Sequence, residues 1–143
     1  MLSPMLADSF EEVWEASRQN TYSWGYPAAI CCGAIILALL SLIRTSALRR
    51  TLKVVTIFAI GFIAFEVSAR EIAEKWRLRL EWASHHPEQL TDAARESLTA
   101  DGANLTLGPL IYGLQATALL MGIAAVLSVV RSKSKSTCPH DKT

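Results

Sequence analysis

Two long stretches of this 143-residue chain contain no charged residue: positions 19–43, between Arg18 and Arg44, and positions 102–130, between Asp101 and Arg131. A chain of this length has no soluble core deep enough to hide both as helices, which excludes an ordinary water-solvated domain. A basic surplus is also lacking, because 14 Lys and Arg stand against 13 Asp and Glu. That balance leaves no electrostatic footprint for nucleic acid. Cysteine is scarce at three residues, two of them adjacent in an apolar run, so no disulfide framework is expected. The first eighteen residues lack the basic start of a signal peptide and instead set Asp8, Glu11, Glu12 and Glu15 against Arg18. No nucleophile–base arrangement, phosphate loop or cofactor fingerprint is present, and the apolar stretches hold almost no His, Asp or Glu. No catalytic residue, metal or cofactor is expected.

Hydrophobic residues make up 51% of the chain and charged residues 19%, against about 25% charged in a typical soluble domain. The expected fold is all-α: an integral membrane protein with three transmembrane helices, the second prolonged as a rod beyond the membrane. An acidic amphipathic segment (1–20) precedes the membrane domain (24–130), and a basic, disordered tail (131–143) follows it. Ser9 and Glu12 have capping-box spacing, and Leu6, Phe10, Val13 and Ser17 recur at intervals of three and four.

The first span is placed at 26–43. Tyr22, Trp24 and Tyr26 lie at its headgroup level, Pro27 falls in its first turn, and Arg44, Arg49, Arg50 and Lys53 follow it. The second, at 53–72, has an uncharged core of only 12 residues (54–65), about 18 Å of helix. Phe58, Phe62, Phe65, Ala69, Ile72, Trp76, Leu80 and Ala83 keep helical spacing past it, with no Gly or Pro among these positions, so one rod is predicted to about Trp82. Pairs four apart, Glu66–Arg70, Arg70–Glu74, Glu71–Lys75 and Arg77–Glu81, would decorate its other faces. Within the segment 66–104, a short helix is expected over 88–98, and Asp101-Gly102 reads as a turn or helix cap. The last span is placed at 107–130, with Pro109 in its first turn.

Charge taken segment by segment alternates in sign. Residues 1–18 carry −3, 44–53 carry +4, 66–104 carry −3 and 131–143 carry +3, which sum to the net +1. Basic residues beside spans are retained on the cytoplasmic side, so the N-terminus is expected outside and the C-terminus inside, in a bacterial inner (plasma) membrane. All four Trp and all three Tyr fall toward the outer side in this arrangement.

Among the candidate functional residues, Glu66, Arg70 and Glu71 form interfacial ion pairs or, alternatively, line an ion path. Gln115 and Thr117 are placed to hydrogen-bond across helices, and Ala29/Gly33, Ala34/Ala38 and Ala118/Gly122 permit close helix approach. His85-His86 with Glu88 supplies ligand types but not a chelating spacing, and is read as a solvated loop. Asn104-Leu105-Thr106 matches a glycosylation acceptor but sits too near the last span to be reached. The run Thr99-Ala-Asp-Gly-Ala-Asn104 resembles small bacterial membrane proteins without identifying a family.

The expected role is non-catalytic. Trp76, Leu80, Ile72, Phe10 and Val13 make an outward interaction surface. It is covered by the N-terminal stripe of the same chain, with Lys75, Arg77 and Arg79 facing Glu11, Glu12 and Glu15, or by a homo-oligomer or another membrane protein. The lipid bilayer is the constant partner. The alternative is a self-assembling pore of holin-like topology, from which the long 66–104 segment departs. A reporter enzyme fused after Trp82 is expected to report the external side, and a cytoplasmic signal would overturn this orientation.

Overall fold

The computed structural model describes residues 9–20 and 24–136. It is all-α, with no strand among the described residues: α1 (Phe10–Asn20), α2 (Gly25–Leu40), α3 (Ser46–His85) and α4 (Asp92–Ser136), plus a 3-10 turn at Pro87–Gln89. Two of these, α3 and α4, are long and apolar enough to cross a membrane, and α2 is a shorter apolar helix.

Local chemistry accounts for most helix ends. The Glu12 N–H donates to Ser9 Oγ at 3.3 Å, which caps α1 as its spacing predicts. Bonds from Leu42 N–H to Leu39 O and from Ile43 N–H to Leu40 O tighten the end of α2 into a last turn reaching Ile43. The α3 rod is longer than the sequence predicts, 40 residues or about 60 Å. It ends at His85 because Pro87 drives the preceding His86 out of the helical region, to φ −128° and ψ 56°. Thr91 Oγ1 then accepts from the Ala94 N–H at 3.2 Å and opens α4.

The structure overturns the break expected at Asp101-Gly102. Residues 92–136 form one helix of 45 residues, with Gly102 and Pro109 both inside it. Gly102 has no positive φ and faces α3, where a Cβ built on it would lie in ordinary contact with Trp76 Nε1 at 3.6 Å. Neither its conformation nor its packing requires glycine, and the helix carries it at a cost of about 1 kcal/mol. The same helix carries the first residues of the expected disordered tail, 131–136; residues 137–143 lie outside the described part of the chain.

The packing seam of α3 also differs from the predicted stripe. Phe58 and Phe62, which open the helically spaced apolar set, are 66% and 63% exposed. The buried face instead carries Ile57, Ile60, Gly61, Ala64, Ser68, Arg79, Trp82 and Ala83. Small residues win because α3 and α4 approach at backbone distance. A Cβ on Gly113 would meet Phe65 Cβ at 3.0 Å and the Gly61 carbonyl at 3.2 Å, and a Cβ on Gly61 would overlap Thr117 Oγ1. Thr117 spends its hydroxyl within its own helix, donating to the Gly113 carbonyl at 2.8 Å. Below this crossing, Leu37 of α2, Ile57 and Ile60 of α3 and Leu120 of α4 form one core, and Gly33 admits α2 to it.

Replacing Gly61 with Ala should destabilise the fold by about 1–3 kcal/mol through overpacking. Gly122→Ala, where nothing lies within 4 Å of the added methyl, should be near neutral. Denaturant unfolding of both variants in detergent checks this, and equal midpoints would refute the seam.

Candidate functional site: an arginine-centred head

Beyond the apolar halves of the helices, α1, the end of α3 and the start of α4 meet around one guanidinium. Arg79 is 5% exposed, a position that an unpaired charge could not hold. Its Nε donates to Ser17 Oγ of α1 at 2.9 Å. Its Nη1 forms an ion pair with Asp101 of α4. Its Cζ stands 3.5 Å from the centroid of the Trp14 ring, a cation–π contact worth about 2 kcal/mol when desolvated. The Ser17 hydroxyl in turn donates a hydrogen bond to the Trp14 carbonyl at 2.8 Å. One side chain of α3 thus holds both neighbouring helices.

An apolar cluster lies beside it. Val13 is fully buried against Trp82 and Ala83, with Phe10, Leu90 and Leu98 around them. The Phe10 ring lies 6.0 Å from that of Trp82, and the His86 ring stacks on Trp82 at 4.6 Å. The His85 and His86 Nδ1 atoms lie 2.8 and 3.1 Å from the Glu81 and Trp82 carbonyls, which makes the pair a helix C-terminal cap. Among the described residues no group of three His, Cys, Asp or Glu side chains is placed to hold a metal ion.

The residues proposed as an outward surface are therefore largely taken up inside the chain. Phe10 and Val13 cover Trp82, Ile72 abuts Gly108, and Trp76 abuts Gly102; Leu80 alone stays 43% exposed. The expected match of Lys75, Arg77 and Arg79 to the N-terminal acids gives way to other partners. Lys75 pairs with Glu71 at 3.5 Å, Arg77 pairs with Glu74 at 2.8 Å and Glu81 at 3.7 Å, and Arg79 pairs with Asp101. The Arg77 guanidinium holds the Glu74 carboxyl below the usual range. Among the described residues neither Glu66 nor Arg70 has an ion-pair partner, so the cluster expected at 66–71 contributes only the Glu71–Lys75 pair. Gln115 is tied to α2, its Oε1 accepting from Tyr26 Oη at 3.4 Å. Beside that bond the Tyr26 and Tyr112 rings meet edge-on at 5.3 Å.

Openings border the head among the described residues. A groove of about 690 Å³ runs between α1 and the first turns of α4, with Phe10, Trp14 and Ala94 among its walls and Glu11 and Glu15 at its edge. A smaller cleft of about 340 Å³ lies between α3 and α4, reaching Trp76, Arg79, Asp101, Asn104 and Tyr112. Sequence reasoning missed the Arg79 hub, although a signal for it exists. Ser17 and Arg79 are polar residues standing at apolar-stripe positions, Ser17 four after Val13 and Arg79 three after Trp76. No family model, no curated protein and no solved structure matches the chain.

Arg79→Ala leaves Asp101 without its partner and should cost about 3 kcal/mol. The loss should concentrate in α1, read as faster amide exchange over residues 10–20 with α2 unchanged. Unaltered exchange in α1 would refute the hub.

Proposed function

We propose that the chain is an integral membrane protein of three spans whose α1–α3–α4 head stands on the external side and serves, without catalysis, as a docking platform for another membrane protein. The bands of large exposed side chains support the first part. Ile35, Phe58, Phe62, Leu114, Val126 and Val129 face outward from the charge-poor halves of three helices, a surface that only lipid or apolar protein would cover. The α3–α4 seam supports it as well. Helices in lipid have no hydrophobic force to drive them together and associate through close packing, for which small residues at the crossing are suited.

The observation that carries the docking role is the groove between α1 and α4. Its apolar walls and its acidic edge at Glu11 and Glu15 suit a basic amphipathic helix, whose apolar face would enter while Lys or Arg met the carboxylates. The Arg79 hub holds the groove's two sides in register, so the site is preorganised and binding orders little further chain.

A photo-crosslinking residue at Ala93, exposed on the groove wall, should capture a polypeptide in intact membranes. The same probe at lipid-facing Leu119 should not capture it, and Glu11→Lys should reduce its yield about fivefold or more, the effect of one reversed charge at a partly screened site. Absence of a polypeptide adduct at Ala93, or a yield indifferent to Glu11→Lys, would overturn the proposal.

A further inference from the structure

At the opposite end of the helices from the head, three positive charges gather without a counter-charge among the described residues. Arg49 of α3 donates from Nη1 to the Ile43 carbonyl at 2.9 Å, and Arg131 of α4 donates from Nη2 to the same oxygen at 3.4 Å. Capping the end of α2 gives each arginine a structural task but uses one of the five N–H donors that each guanidinium carries. Lys53 lies one turn beyond Arg49 on α3, and the charges of both Arg49 and Arg131 act on it.

Capping does not account for Lys53. It is 9% exposed, and among the described residues it has no hydrogen-bond or ion-pair partner. Among the described residues no enclosed side-chain nitrogen or oxygen is left unbonded, so the Lys53 ammonium opens to the surface while its stem is packed between helices. Among the described residues no carboxylate lies near it in the sequence; Asp141 belongs to the segment 137–143, outside the described part of the chain. Positions 16–65 and 102–140 contain no Asp or Glu, and Glu66 is thirteen residues along α3, about 20 Å from Lys53 at the helical rise. Holding three like charges together on two helices is unfavourable unless an anion joins them.

We propose that Lys53, Arg49 and Arg131 form a binding site for a phosphate group, and that its source is the phosphodiester headgroup of an anionic lipid. The geometry favours that class. Two arginine forks with donors to spare match phosphate oxygens bidentately, and the lysine adds a point charge beneath them. The site lies where the apolar surface of α3 and α4 gives way to charge, the depth at which headgroups meet a membrane helix, and basic pockets between helices on the cytoplasmic side take such lipids. This assignment rests on the reading of the apolar bands as lipid-facing.

The test titrates the full chain in neutral detergent micelles with phosphatidylglycerol and reads retained lipid by native mass spectrometry. Lys53→Gln, which removes no hydrogen bond within the protein, should weaken retention about tenfold, as for a lost charged hydrogen bond. Arg50→Gln makes the same change of charge one turn away on the exposed side and should weaken it less than about twofold. Equal losses in the two variants would overturn the site in favour of a diffuse basic surface. Displacement of the lipid by millimolar inorganic phosphate, with the same dependence on Lys53, would overturn the lipid source and leave a free-phosphate site. Reconstitution into phosphatidylcholine vesicles is scored separately: a chain that fails to insert refutes the membrane reading itself, whatever the titration gives.

Discussion

Gly61 and Gly113 let two backbones meet, and the arrangement of everything else follows from that contact. With α3 and α4 at this distance, no large side chain fits between them at the crossing, so Phe58 and Phe62 point away and the seam narrows to glycine, alanine, serine and threonine. The helices are then close enough below the crossing for α2 to seat Leu37 against Ile57, Ile60 and Leu120. Above it, Ile72 and Trp76 are held against Gly108 and Gly102, and Arg79 lies within reach of Asp101. Dispersion and backbone proximity do the work that burying bulky side chains does in a water-soluble bundle.

The two ends of the helix pair use charge in opposite ways. At the head, Arg79 is desolvated but answered on every side by a carboxylate, a hydroxyl and an indole ring, so its burial is compensated and it aligns three helices. At the other end, Arg49 and Arg131 share the Ile43 carbonyl, with Lys53 one turn along α3 from Arg49. The first arrangement is closed within the chain; the second has no carboxylate among the described residues.

Much of the fold was legible in the sequence because it rests on chain-local chemistry. Ser9 and Glu12 announced the start of α1, the uncharged stretches announced three apolar helices, and the unbroken spacing from Phe58 to Ala83 announced one rod. The errors share a cause. Asp101-Gly102 has turn chemistry, yet Asp101 is committed to Arg79 and Gly102 faces Trp76, so contacts with α3 outweigh local preference. Helical spacing marks the apolar side of α3 but not which of its residues meet α4, and the observed crossing is built from small ones. The packing of Phe10 and Val13 on Trp82 follows the intrachain cover that was one of the expected alternatives, whereas the groove edged by Glu11 and Glu15 depends on where α1 docks.

Helix α4 carries a mechanical implication. Asp101, in the head, and Arg131, at the basic end, belong to the same uninterrupted helix, thirty residues and about 45 Å apart. None of its glycines has a positive φ to serve as a swivel. The two charged ends are thus joined by one continuous helix, in which Pro109 is the one residue that cannot donate a backbone hydrogen bond.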